Sequence, residues 1–406
     1  MKFTELQIIK PILKALMDSD YDIASPIQSE AIPIILSGKD IFASAQTGTG
    51  KTAAFAIPIL QGLAKNNAND KTIKALILTP TRELAAQVGN SFRKYGKYLN
   101  LKVNIIFGGV PQKRQIQSLR RGCDILVATP GRLLDLISQR KLTINNVNYF
   151  VLDEADRMMD MGFIIDVKKI VAKMNKDRQT MLFSATLPGQ IKELSKAILK
   201  KPVNIHINPS TKTIKKINQA VFYVSKKNKL LLLYSILQAD AVKSALVFVR
   251  TKKSADKIVR ELNALKINAA AIHSDKSQGD RTKTLKDFKL NKIKFLVATD
   301  IASRGLDIEQ LPYVINYDLP EDAETYIHRI GRTGRAGLGG TALSFCSEGE
   351  AYLIKKIEKH INHKIKVIDS HPFANDREII FRNKRVNNKY RKHRRKSKSR
   401  KYYKKP

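Results

Sequence analysis

Residues 45–52 read Ala45-Gln-Thr-Gly-Thr-Gly-Lys-Thr52. They follow a short apolar run, Ile41–Ala45, and lead into a stretch with helical spacing. This is the strand–loop–helix context of a phosphate-binding loop, with Ala45 where a first glycine is usual. The chemistry asks for these residue types. Gly48 and Gly50 let backbone N–H groups turn toward phosphate oxygens. Lys51 has the reach for β- and γ-phosphates, and the Thr52 hydroxyl can ligate Mg2+. Gln46, Thr47 and Thr49 complete the cradle. An ordinary Gly/Thr-rich turn leaves the Gly-Lys-Thr spacing unexplained.

A phosphate site also needs an acid to hold the metal, and Val151-Leu-Asp-Glu-Ala-Asp156 supplies one at the end of an apolar run. Asp153 is read as the Mg2+ carboxylate, and Glu154 as the base that orients and deprotonates the attacking water. Taken alone, adjacent acids after a strand equally describe a helix N-terminus, which favours negative charge. The upstream phosphate loop decides between the two.

Further outward, short runs rich in Val, Ile, Leu and Phe recur between longer helical patterns. In the first half they are Ile41–Ala45, Ala75–Thr79, Val103–Phe107, Ile125–Ala128, Tyr149–Leu152 and Thr180–Phe183. In the second half they are Ala220–Val224, Ala245–Val249, Ala269–Ile272, Phe295–Ala298, Tyr313–Asn316 and Thr341–Phe345. Nearly continuous apolar strands joined by helix-length crossovers predict mainly parallel sheets buried on both faces. Two α/β domains follow, residues 1–207 and 217–368, joined by a polar linker at 208–216 and followed by a basic tail at 369–406.

The 406 residues carry 74 Lys or Arg against 36 Asp or Glu, a net charge of +38. Such an excess points to a polyanion, nucleic acid before an anionic membrane surface. Phe381–Pro406 alone supplies +14 and no acid, which leaves +24 for residues 1–380. With almost no aliphatic residues, the tail is expected to be disordered and to act as an electrostatic tether for nucleic acid. A solvated end without a partner and a nuclear localisation signal are the other readings of KHRRKSKSRK. Two cysteines, Cys123 and Cys346, exclude a disulfide scaffold and fit a reducing compartment. No run approaches a membrane span, and the N-terminus lacks the apolar core of a signal peptide.

Asp153-Glu-Ala-Asp156 together with the phosphate loop resembles a DEAD-box ATP-dependent RNA helicase of superfamily 2. The flanks DEADRMMDMGF and HRIGRTGRAG look most like the bacterial RhlE-like branch. The resemblance covers roughly residues 1–365 through about a dozen ordered motifs. It implies two tandem RecA-like domains and assigns roles along the chain. The family's adenine-reading motif falls on Tyr21 and Gln28, with Gln28 pairing with the adenine edge, Tyr21 stacking on the ring and Phe3 buttressing the site. Asp20, Ile23 and Ala24 stand where Gly, a basic residue and Pro are common.

The resemblance also assigns RNA contacts to Pro80, Thr81, Arg82, Gly109, Thr129 and Arg132, and in the second domain to Arg281 and Thr299. Each first-domain motif follows an apolar strand, at the sheet edge where α/β folds bind ligands, and offers phosphate donors. Ordinary turns with helix caps are the alternative for each motif by itself. Ser184-Ala-Thr186 matches the motif that couples hydrolysis to unwinding, its hydroxyls bonding Asp156. His273-Ser274 departs from the usual His-Gly. Asp307 is expected on the ATP ribose and Arg304 at the domain interface, with His328 in the coupling set. In His328-Arg-Ile-Gly-Arg-Thr-Gly-Arg335, Arg332 and Arg335 are three apart, so both guanidiniums can converge on one γ-phosphate as arginine fingers. The second domain has no phosphate loop, so it must act on ATP held by the first.

The expected activity is RNA-stimulated ATP hydrolysis with local opening of short duplexes or remodelling of RNA–protein complexes. The expected cofactors are ATP and Mg2+. The expected partners are single-stranded and short duplex RNA read without base identity, with ribonucleoprotein or ribosomal assemblies beyond that. The protein is expected to be a cytoplasmic monomer with no membrane association. Two rivals are an ATP-dependent RNA clamp or scaffold and a DNA-directed motor of the same superfamily. Intact Lys51, Glu154, Arg332 and Arg335 argue against the first, and the DEAD spelling against the second.

Overall fold

A computed structural model describes residues 1–45, 49–65, 72–207, 217–300, 311–334, 339–374 and 376–377. Of the residues singled out above, Gln46, Thr47, Gly48, Arg304, Asp307 and Arg335 lie outside the described residues, as do the linker 208–216 and the basic end from 378. The described residues before 208 form one compact unit, and those after 216 form a second.

The first unit holds seven strands: β1 (Ile41–Ser44), β2 (Ala75–Leu78), β3 (Val103–Ile106), β4 (Ile125–Ala128), β5 (Tyr149–Leu152), β6 (Gln179–Ser184) and β7 (Val203–His206). They lie in the order β3-β4-β2-β5-β6-β1-β7, with every pairing parallel. Burial follows the two-residue period of a strand. On β2, Ala75 and Ile77 enter the core on one face, while Leu76 and Leu78 enter the core on the other. Ile125 and Val127 on β4 join the first core, and Leu126 and Ala128 the second. Both faces are therefore covered, as near-continuous apolar strands require.

The second unit holds β8 (Ile217–Tyr223), β9 (Ala245–Val249), β10 (Ala269–Ile272), β11 (Phe295–Thr299), β12 (Tyr313–Asn316), β13 (Gly340–Cys346) and β14 (Lys366–Val367). Its order is β10-β11-β9-β12-β13-β8-β14. Adding seven to each strand number of the first sheet reproduces this order, so the two units share one topology. All pairings are again parallel.

Two edge strands were not legible in the sequence. Of β7, only Ile205 is buried, and polar Asn204 and His206 hide the pattern. β14 is two residues long and lies beside β8. The boundary at 368 also moves. Residues that composition assigned to the tail pack on the second unit. Phe373 rests on its core beside Ile368, the last residue before that boundary, the His371 ring meets Phe222 edge-on at 5.4 Å, and Arg377 lies over Tyr223. Asp376, 7% exposed, accepts bonds from Ser225 N (3.0 Å), Ser225 Oγ (2.8 Å) and Asn228 Nδ2 (2.9 Å). It thereby ties this strap to the start of the helix Lys229–Leu237. Asp376→Ala leaves these donors unpaired and is expected to destabilise the second unit by ~1–3 kcal/mol. Urea unfolding of the variant measures this, and an unchanged midpoint would show that the strap only rests on the surface.

Candidate active site

Sheet order sorts the motifs. β5, β6 and β1 are neighbours, and their C-terminal ends carry Asp153-Glu154, Ser184-Ala185-Thr186 and the phosphate loop. β3, β4 and β2 are the other neighbours, and their C-terminal ends lead to Gly108-Gly109, Thr129 and Pro80-Thr81-Arg82. The motifs expected to bind nucleotide and those expected to bind RNA thus occupy two adjoining halves of one sheet edge, with β2 and β5 side by side at the seam. Parallel pairing aligns these ends. Ala45 N donates to Ser184 O (3.1 Å), and Asp153 N to Leu78 O (3.0 Å).

Lys51 opens the helix Lys51–Lys65 and is 6% exposed, its ammonium donating to Ala45 O at 3.0 Å. Asp153 is 2% exposed, and its buried Oδ1 has no hydrogen-bond partner among the described residues. Burial raises its carboxyl well above the usual range, Lys51 draws it back down in part, and Glu154 pushes it up again. An unpartnered, buried carboxylate oxygen beside an ammonium suits a hard cation, so the donor set fits Mg2+ held by Asp153, the Thr52 hydroxyl and nucleotide phosphates. Glu154 is buried and sits at φ 53°, ψ 54°, a left-handed conformation that non-glycine residues rarely adopt. Strain of this kind is characteristic of functional positions.

Asp156 reaches across to the loop after β6. Its Oδ2 accepts from Ala185 N (3.0 Å), Thr186 N (2.9 Å) and Thr186 Oγ1 (3.1 Å). The sequence reading gave this bond to both hydroxyls. Only the Thr186 hydroxyl makes it, because Ser184 Oγ donates to Thr186 O at 2.7 Å and instead shapes the turn. Removing both hydroxyls, Ser184→Ala with Thr186→Ala, is expected to spare ATP hydrolysis and to reduce duplex unwinding. Parallel assays decide the point, since proportional loss of both activities would contradict a coupling role.

Gln28 departs from its expected posture. It is fully buried, and its amide is spent on the protein: Nε2 donates to Tyr21 Oη (3.0 Å) and Gly50 O (3.0 Å), and Oε1 accepts from Ser25 N (2.8 Å). Ser25 Oγ donates to Thr49 O at 2.7 Å. In this structure Gln28 and Ser25 therefore clamp the phosphate loop, and paired bonds to adenine require Gln28 to release them. The fit is close: a Cβ on Gly50, at φ +93°, would lie 2.3 Å from Gln28 Nε2. Tyr21 stacks on Phe3 (5.4 Å between ring centres) and on Tyr95 (6.2 Å). Tyr95 belongs to no motif, so nothing in the sequence marked it. Gln61 is another residue the sequence left unmarked, and it pins the N-terminal segment through Ile9 N and Gln7 O. Asp20 has φ +52°, which explains why glycine is common at that position. Asp tolerates the left-handed region better than most residues.

On the RNA half, the Arg82 guanidinium lies against Gly109, where an added Cβ would be 2.1 Å from Nη2. The two motifs therefore touch, and Gly109, at φ +73°, holds a conformation that favours glycine, where a side chain would also displace the Arg82 guanidinium. Thr81 is a helix cap, its Oγ1 accepting from Leu84 N at 3.3 Å. Thr129 begins the helix Pro130–Ser138 without a capping bond from its side chain. Arg132, expected as a phosphate donor, reaches from the helix Pro130–Ser138 to the segment after β3, bonding Gln115 Oε1 (3.3 Å) and Val110 O (3.1 Å), with Asp135 at 3.5 Å. Pro80 is buried beneath the same edge.

In the second unit, Thr299 ends β11, Arg281 is buried on the helix Gln278–Lys289, His328 lies on the helix Ala323–Ile330, and Arg332, 6% exposed, follows that helix. Ser274 is absent from the positive-φ positions, so serine in place of glycine is accommodated without strain.

Residues 25–194 match the DEAD/DEAH box helicase family model, and residues 226–337 match the helicase conserved C-terminal domain. The DEAD-box ATP-dependent RNA helicase RhpA of Helicobacter pylori is 40% identical over 378 residues, spanning 93% of this chain and 76% of that protein. The chain belongs to the DEAD-box ATP-dependent RNA helicase family. The DEAD-box helicase CshA of Bacillus subtilis is 41% identical over 363 residues, 89% of this chain and 73% of its own length. Among solved structures, Saccharomyces cerevisiae Dbp5 bound to RNA and ADP BeF3 is similar, with a TM-score of 0.80 and 29% identity, covering 95% of this chain and 99% of that one. These matches show the DEAD-box family and specify no branch within it. They also bear out the two RecA-like domains that the motifs implied.

Proposed function

We propose that this DEAD-box protein hydrolyses ATP to ADP and phosphate under RNA stimulation. It uses the cycle to open short RNA duplexes or to remodel RNA–protein complexes. The observation that carries the reading is the edge of the first sheet, where Lys51, Asp153 and Glu154 adjoin the strand ends that lead to Arg82, Gly109 and Thr129. Relatives named as ATP-dependent RNA helicases support it.

On this reading Lys51 and the loop amides hold the β- and γ-phosphates, and Glu154 takes the proton of the attacking water. Bound Mg2+ supplies charge neutralisation for the phosphates, with Asp153 and Thr52 as its protein donors. Asp156 transmits the state of the acids to Thr186 and the adjoining loop. Arg332 of the second unit neutralises the charge that develops on the transferred phosphoryl group. Phosphate and 2′-hydroxyl contacts dominate RNA recognition, so the activity is independent of base sequence. The same reading makes the protein a cytoplasmic monomer that meets ribonucleoprotein assemblies through their RNA. A fluorescent RNA duplex of about one helical turn tests it directly. Strand separation that needs hydrolysable ATP is expected. ATP-dependent RNA retention without turnover would favour the clamp instead.

The basic end has its own signature. Suppose about five of the 14 charges in Phe381–Pro406 contact phosphates. At ~0.7 counterions released per single-strand contact, the full chain then has a salt slope steeper by ~3.5 than residues 1–380. Between 50 and 200 mM salt this amounts to roughly a hundredfold additional loss of RNA affinity. Parallel slopes for the two proteins would contradict the tether.

A further inference from the structure

The second unit contains a buried arginine that none of the roles above uses. Arg329 is 3% exposed and grips Asp300 with a two-pronged fork, Nε to Oδ1 and Nη2 to Oδ2, both at 2.7 Å. Its Nη1 donates to Asn316 Oδ1 (3.1 Å) and Asp318 O (2.6 Å), and the guanidinium lies 4.9 Å from the centre of the Phe248 ring. This one side chain therefore joins the ends of β9, β11 and β12 to the helix Ala323–Ile330. The network continues through Asp318, whose Oδ2 accepts from Arg250 N (2.9 Å) and whose Oδ1 lies 3.5 Å from the buried Lys229 ammonium.

The fork has functional residues at both ends. Asp300 directly follows Thr299, the residue read as an RNA contact. Arg329 precedes Arg332 by one helical turn, and Arg332 N donates to Arg329 O at 3.1 Å. A shift of the β11 end would be carried through this bidentate ion pair, whose guanidinium is buried, to the turn that presents Arg332. A bidentate guanidinium–carboxylate pair fixes orientation as well as distance, which lysine at the same position cannot do. We propose that Arg329 is a positioning residue that couples RNA contact at Thr299 to the placement of Arg332. RNA would thereby stimulate hydrolysis from within the second unit, in parallel with the Asp156–Thr186 link in the first. The inference rests on the function proposed above.

The test is the ratio of RNA-saturated to RNA-free ATPase kcat, measured on the full-length protein and on Arg329→Lys and Asp300→Asn. Loss of folded protein scales both rates together and leaves the ratio unchanged, so the ratio separates coupling from simple destabilisation. The ratio is expected to fall about tenfold or more in each variant, with affinity for a fluorescent ATP analogue unchanged because Lys51 and the phosphate loop lie in the first unit. The double variant is expected to fall no further than either single one, since both changes break one interaction. A parental ratio in both single variants, or independent effects that multiply in the double, would overturn the proposal. An unmodified protein whose ATPase ignores RNA would instead overturn the function on which it rests. Should Arg329→Lys fail to fold, Asp300→Asn, which retains the shape of the side chain, decides alone.

Discussion

Glu154→Gln is expected to bind ATP as the parent does and to lose turnover by about 10²–10⁴-fold, the usual contribution of a positioned general base. The amide has the volume of the carboxylate, so the buried left-handed turn at Glu154 can keep its shape, while the basicity needed to take a proton from water is gone. Nucleotide affinity should hold because the contacts that set it, Lys51 and the loop clamped by Gln28 and Ser25, are untouched. Single-turnover hydrolysis with enzyme in excess checks the chemical step, and equilibrium binding of a fluorescent ATP analogue checks the site. Near-parental turnover would remove Glu154 from the mechanism.

Arg332→Ala is expected to lower ATP turnover by ~10³-fold or more, the scale on which a missing arginine finger acts in phosphoryl transfer. Arg332 is buried, and its backbone is fixed by two bonds, Arg332 N to Arg329 O and Leu311 N to Arg332 O (3.1 Å each). The side chain can therefore be removed while the backbone that carries it stays anchored. Arg332→Lys is the informative companion, because it keeps the charge and loses the planar fork. Both variants should bind nucleotide normally, since the phosphate loop belongs to the other unit. Steady-state ATPase at saturating RNA measures the loss, and a rate within a few-fold of the parent would end the finger assignment.

The parallel sheets were legible because their central strands are buried on both faces and so are written as unbroken apolar runs. Tyr149–Leu152, Ala245–Val249 and Ile125–Ala128 are strands with the same limits in the sequence and in the structure. Edge strands escape that signal, since β7 buries one residue and β14 has only two. The strap ending at Arg377 escaped for a related reason. It is held by Asp376, by the His371 edge contact and by the Arg377–Asp369 pair rather than by a run of hydrophobes, so composition merged it with the basic end. The site shows the same division. Lys51, Asp153 and Glu154 could be read from motif and spacing. The posture of Gln28 could not, because its partners Tyr21 and Gly50 come together only when the loop folds over it. Nor could the pairing of Arg329 with Asp300, 29 residues apart, since each stands inside a motif whose wording names other residues.

The central claim is that RNA, through its sugar and phosphates, switches on an ATPase built on the edge of the first sheet. The most direct test is steady-state ATP hydrolysis by the full-length protein with saturating single-stranded RNA, with DNA of the same sequence, and with neither. Strong stimulation by RNA and little by DNA is the expected result, because the sugar 2′-hydroxyl is what separates the two polymers at a phosphate-reading surface. Equal stimulation by DNA, or hydrolysis indifferent to both, would contradict the account.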